Sequence, residues 1–197
     1  MSNVLFINSC IRPQGLSRTL DLCREYLDSY AQKNPQCKII EHNLSKSGLQ
    51  PLDWDKLSAR EELLSQNSLD ADEFAHARDF AEADLIVIGA PYWDRGFPAL
   101  LKIYLEHIAV RGITFRYGDD GRPVGMCKAA KLVYITTAGG FIGDYNTGYD
   151  SVCAVADLFG VTNTVCFAAE GLDIIGMDIE QQLALTRSKM AVDLAQA

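Results

Sequence analysis

The stretch Ser9-Cys10-Ile11-Arg12-Pro13-Gln14-Gly15-Leu16-Ser17-Arg18-Thr19 gathers the groups that hold a small anion. Ser9, Ser17 and Thr19 supply hydroxyls, and Arg18 adds positive charge, where a helical pattern begins. The first turn of a helix leaves backbone N–H groups without partners, and its dipole favours negative charge. Ser17 by itself would do no more than cap that helix. Other phosphate-handling loops fit poorly. Neither G-x-x-x-x-G-K-[ST] nor G-x-G-x-x-G occurs in the chain, and these spacings define the P-loop and the dinucleotide turn. A phosphatase built on Cys10 would need an arginine at position 16, where Leu16 stands; Arg18 comes two places too late. Cys10 therefore reads as a small buried residue.

Two further segments have unusual chemistry. Pro91-Tyr92-Trp93-Asp94-Arg95-Gly96-Phe97-Pro98 sets Tyr92, Trp93 and Phe97 on a loop. Aromatic side chains there can wall in a flat conjugated ring, or they can plug a helix onto a sheet. Thr137-Ala138-Gly139-Gly140-Phe141 carries paired glycines, which let a backbone approach a ligand closely and offer N–H groups to ring carbonyls.

The elements between these segments must bring them together. Val4–Ile7 and Leu85–Ala90 read as buried strands, Lys131–Thr137 as a central strand, and 37–41 and 164–168 as further strands. Helical patterns fill 17–33, 56–66, 71–83, 98–109, 148–159 and 178–195, with 43–55 left as loop. Asp70 with Glu73 resembles a capping box, and Pro98 suits a first helical position. Residues 113–124 read as a hairpin with Gly118-Asp119-Asp120-Gly121 at its tip. Strands alternating with helices, without linker or repeat, predict one α/β domain over 1–197: a doubly wound five-stranded parallel sheet, helices on both faces. If its order is 2-1-3-4-5, the carboxyl ends of strands one, three and four lie side by side, where such sheets bind ligands. An anion cradle, an aromatic wall and a glycine edge then describe a phosphorylated flat ligand. FMN suits them better than a dinucleotide, for which a second phosphate loop is missing.

Composition narrows the class. The 197 residues are 48% hydrophobic and 22% charged, with a formal net charge of −8. That balance argues against nucleic acid, whose binders carry a basic face. The six cysteines include no C-x-x-C pair and the three histidines no metal-ligand spacing, so no metal site is expected. Reduced thiols and a cytoplasmic location are expected instead. The N-terminal residues lack the basic start and long apolar run of a secretory leader, and no apolar stretch is long enough for a membrane span.

With these residues in view, the chain resembles the flavodoxin-like NAD(P)H oxidoreductases, most closely the FMN-dependent NADH-azoreductases and related quinone reductases. The resemblance covers nearly the whole chain. It rests on Ser9…Ser17-x-Thr19, on Pro91-Tyr92-Trp93-x-x-Gly96-x-Pro98-x-x-Leu101-Lys102, and on Gly112-Ile113-Thr114-Phe115-Arg116-Tyr117. Thr137-Ala138-Gly139-Gly140 and Phe159-Gly160-Val161…Glu170-Gly171 add to it. It implies that Ser9 and Ser17, Arg18 and Thr19 bind FMN phosphate, that Pro91, Tyr92, Trp93, Asp94 and Arg95 contact the isoalloxazine, and that Thr137, Ala138, Gly139 and Gly140 line its other edge. It further implies a homodimer, NADH or NADPH as donor, a small-molecule acceptor such as a quinone or azo compound, and ping-pong hydride transfer. The flavin carries that chemistry, so no side chain is named as catalytic. Tyr145 and Tyr149 are candidates for lining the acceptor pocket. The chain departs from azoreductases at Asp94 and Arg95, where Asn and Phe are common, and at Thr137-Ala138, which replaces a more polar pair. A carboxylate only accepts hydrogen bonds, whereas an amide also donates. The competing expectations are a non-enzymatic flavodoxin-type electron carrier and a scaffold without its cofactor.

Overall fold

A computed structural model describes residues 2–196. Its sheet has five parallel strands: β1 (Asn3–Asn8), β2 (Lys38–Asn43), β3 (Leu85–Gly89), β6 (Lys131–Thr137) and β7 (Thr164–Ala169), in the order β2-β1-β3-β6-β7. This is the expected 2-1-3-4-5 arrangement, counted over the strands of this sheet. The remaining two strands, β4 (Phe115–Tyr117) and β5 (Pro123–Gly125), form the expected hairpin; Gly118 N–H donates to Arg122 O at 2.8 Å across its tip.

The central strands are apolar on both faces because both faces are covered. Val4, Phe6, Leu85, Val87, Val133 and Ile135 pack under α1 (Arg18–Lys33) and α6 (Ile179–Ala195). Leu5, Ile7, Ile86, Ile88, Leu132 and Tyr134 face α3 (Ala75–Glu82), α4 (Ala99–Ile108) and α5 (Thr147–Leu158). The remaining helix, α2 (Trp54–Ser65), starts before the expected 56 because Asp53 caps it, accepting from Lys56 N–H at 2.9 Å.

Two local expectations change. The segment 71–83 is a 3₁₀ turn, Asp72–Phe74, running into α3, and Asp70 caps nothing: the turn starts at Ala71 without a side-chain cap. Arg78 instead ties down that entry, donating to Leu69 O at 2.8 Å and Ala71 O at 2.7 Å. Pro98 stands one place earlier than expected, as the extended N-cap of α4 with ψ 141°, and its carbonyl accepts from Leu101 N–H at 2.9 Å.

The register brings the strand ends together. Asn8 pairs with Gly89, and Gly89 with Ile135. Beyond β3 the chain still leans on β6, since Ala90 N–H donates to Ile135 O and Tyr92 N–H to Thr137 O, each at 3.0 Å. The loops after β1, β3 and β6 therefore leave the sheet side by side.

Candidate active site

Loop one, after β1, is fastened from beneath. Ser9 is fully buried; its hydroxyl donates to Gly89 O at 2.8 Å and its N–H to the same carbonyl at 3.0 Å. Asn8 takes the next amide, accepting from Cys10 N–H at 3.0 Å, and donates to Glu41, which also binds Arg24. Burial pushes the Cys10 thiol up to about 11, so it holds its proton at neutral pH and is no nucleophile. The loop turns at Gly15, whose φ of +80° suits glycine and whose N–H donates to Asp21 at 2.9 Å. Ser17 then caps α1, accepting from Leu20 N–H at 3.3 Å. That leaves the N–H groups of Arg18 and Thr19 in the first turn without intrahelical acceptors.

Loop three meets loop one through hydroxyls: Thr19 Oγ1 and Thr137 Oγ1 are 2.6 Å apart. Its carbonyls are used by the segment after β7. Leu172 N–H donates to Ala138 O at 3.1 Å, Asp173 N–H to Gly139 O at 2.9 Å and Gly171 N–H to Gly140 O at 3.0 Å. The N–H groups of Gly139 and Gly140 have no protein acceptor among the described residues.

Loop two folds into a two-residue hairpin. Trp93 N–H donates to Gly96 O at 3.2 Å, and Gly96 N–H to Trp93 O at 2.7 Å. Asp94 and Arg95 between them have φ of 51° and 65°. Positive φ at both central residues is the pattern of a type I′ turn; Asp tolerates it, whereas Arg is strained there. Helix α5 clamps the turn, since Thr147 Oγ1 donates to Arg95 O and Gly148 lies so near Gly96 that an added Cβ would meet its carbonyl carbon at 3.0 Å.

Together the loops enclose a cleft of about 500 Å³. Ser17, Arg18, Thr19, Pro91, Tyr92, Trp93, Thr137, Ala138 and Gly139 all line it. Ser9 lies below it and supports the loop; Asp94, Arg95 and Gly140 lie outside its lining. The two aromatic roles divide: Trp93 is 44% exposed on the cleft, while Phe97 packs into the core. Neither Tyr145 nor Tyr149 lines the cleft: Tyr145 is exposed, and the Tyr149 hydroxyl donates to Thr164 at 2.9 Å. The wall also contains Arg12, Asp21, Leu172 and Asp173, which sequence patterning did not single out. Leu172 and Asp173 had no signal of their own, because only the parallel pairing of β6 and β7 carries them to loop three.

The flavodoxin-like fold family's model matches residues 2–194. The chain belongs to that family. Relatives similar to it include FMN-dependent NADH:quinone oxidoreductase 2 of Clostridium acetobutylicum, 34% identical, with 96% of each chain covered. The FMN-dependent NADH:quinone oxidoreductase of Caldicellulosiruptor bescii is 30% identical, covering 99% of this chain and 98% of the relative. Among solved structures, the azoreductase from Bacillus anthracis str. Sterne superposes with a TM-score of 0.88 at 23% identity, each chain fully covered. The FMN-dependent NADH-azoreductase of Bacillus anthracis str. Ames Ancestor, in complex with FMN, superposes with 0.85 at 20% identity, covering 100% of this chain and 99% of that one. These two likenesses concern the fold.

Proposed function

We propose that this chain is a single FMN-binding domain and an FMN-dependent NADH:acceptor oxidoreductase that reduces quinones or azo compounds. One observation carries the reading: the start of α1, the Pro91–Trp93 wall and the Thr137–Gly139 edge share one cleft, in a chain matching FMN-dependent NADH:quinone oxidoreductases over nearly its full length. The cleft's volume of about 500 Å³ suits a cofactor of this size.

The residues present fit FMN. The N–H groups of Arg18 and Thr19, with Ser17 and the Arg18 guanidinium, would hold its phosphate. Pro91, Tyr92 and Trp93 would bound the ring, and the N–H groups of Gly139 and Gly140, which lack protein acceptors, would meet its carbonyl edge. Ser9 would act indirectly, by fixing the loop to Gly89. Bound there, FMN supplies the hydride-accepting and hydride-donating chemistry. The protein positions it and contributes no obvious acid or base. Burial keeps Cys10 protonated, and it pushes Tyr149 up to about 12 and Tyr134 higher still. Half-exposed Trp93 offers flat, electron-poor acceptors a stacking surface. Donor and acceptor would use that surface in turn, which is ping-pong behaviour.

The same reading makes the protein a cytoplasmic homodimer. Six free cysteines suit a reducing compartment, and no helix among the described residues is long and apolar enough to cross a membrane. Exposed Phe141, Ile174 and Ile175 give a second copy an apolar surface, Phe141 and Ile174 both standing beside Gly171. The test is NADH consumption by FMN-loaded protein with benzoquinone as acceptor, with the mass measured by light scattering. Turnover with parallel double-reciprocal plots at twice the chain mass is expected. No turnover makes it an electron carrier, and the mass of one chain removes the dimer.

A further inference from the structure

The cleft wall carries charges that phosphate binding alone does not explain. Its two cations, Arg12 and Arg18, face two carboxylates, Asp21 and Asp173, so a cleft suited to an anion is electrically balanced. Asp21 has a local duty, accepting the Gly15 N–H that shapes loop one. Asp173 has a different one. The Arg18 guanidinium donates to Asp173 Oδ1 at 3.0 Å and to Leu172 O at 3.3 Å. The other carboxylate oxygen lies against loop three, where a Cβ on Gly139 would collide with it. Backbone bonds from Leu172 to Ala138 and from Asp173 to Gly139 fix the segment in this place. Asp173 thus reaches from the glycine edge of the cleft to the arginine at the start of α1.

We propose that Asp173 sets how tightly the cleft holds a phosphorylated flavin: its carboxylate occupies Arg18 and opposes the incoming phosphate, so ion pair and ligand compete for one guanidinium. The proposal rests on the FMN reading given above and adds the residue that limits affinity. The Arg18 and Asp173 side chains are 43% and 74% exposed. Such a pair is solvent-screened and weak, and a phosphate bearing more charge can displace the carboxylate. The displaced carboxylate stays nearby, because the backbone bonds to loop three hold Asp173 in place, and its repulsion persists in the loaded protein.

The test measures binding of FMN and of riboflavin, which lacks the phosphate, to apoprotein by quenching of flavin fluorescence. Wild type is compared with Asp173→Asn, Arg18→Gln and the double variant, at about 20 mM and about 500 mM salt to vary screening. Asp173→Asn should tighten FMN binding roughly threefold to tenfold at low salt, as expected for removing one partly screened charge. The gain should shrink at high salt, be small for riboflavin, and fall without vanishing when Arg18 is Gln, because the competition for the guanidinium is gone while the direct repulsion of the phosphate remains. Asp173→Ser, which removes the charge without an amide, must give the same sign, and thermal denaturation checks that each variant folds. Unchanged or weaker FMN binding in both charge-removing variants overturns the proposal, as does an equal gain for riboflavin. Wild type that binds FMN while the variants show no gain discards the proposal alone. Wild type that takes up no FMN discards the cofactor reading with it.

Discussion

Thr19 and Thr137 show how a site is assembled from residues 118 positions apart. Their hydroxyls, 2.6 Å from one another, join the start of α1 to the end of β6, so the proposed phosphate and ring seats are one rigid unit. Thr137→Val keeps the side-chain shape and deletes one partner. It should cost about 1 kcal/mol of stability, the typical worth of a partly buried hydrogen bond. Urea unfolding measures that loss, and FMN titration should show weaker binding because the two loops are no longer tied. Full stability and affinity in this variant would show that the contact does not organise the site. At this scale Ser17, Thr19 and Gly139 were legible in the sequence, since capping hydroxyls and paired glycines announce themselves locally. Asp173 was not: its meaning depends on Arg18 and Gly139, which only the fold supplies. Nor does the left-handed backbone at Arg95 have a sequence signal, because arginine seldom adopts it.

Among the elements, β3 has little room for change. All five of its residues are buried, and its last residue, Gly89, accepts from both the hydroxyl and the amide of Ser9. A Cβ at Gly89 would stand 2.6 Å from Cys23 Sγ on α1 and 3.3 Å from Phe6 Cε2. Gly89→Ala should therefore force α1 away from the sheet and destabilise the fold by about 1–3 kcal/mol, the usual cost of overpacking. A thermal midpoint equal to wild type would show that α1 yields freely there. The central strands β1, β3 and β6 were readable because each is a short apolar run ending in Gly or polar residues. Helix starts were less so. Asp70 and Glu73 have the capping-box spacing, yet Arg78 secures that turn through two carbonyls instead. Propensity near a helix start yields to whichever tertiary bond forms.

For the whole molecule, strand order does most to create function. The order β2-β1-β3-β6-β7 makes neighbours of three loops that are far apart in sequence, and the register aligns Asn8, Gly89 and Ile135 so that the loops leave at one level. That convergence was legible once five strands alternated with helices. The segment after β7 joins it through the edge pairing of β6 with β7 and the backbone bonds that follow, and it supplies Leu172 and Asp173 to the cleft wall. The central claim is that this cleft binds FMN and lets NADH reduce it. Its most direct test is the visible spectrum of the purified protein loaded with FMN, recorded before and after anaerobic addition of NADH. Retention of FMN and bleaching of the flavin band near about 450 nm, a property of the cofactor, are the predicted results. A protein that holds no FMN, or a band that survives excess NADH, would contradict the account.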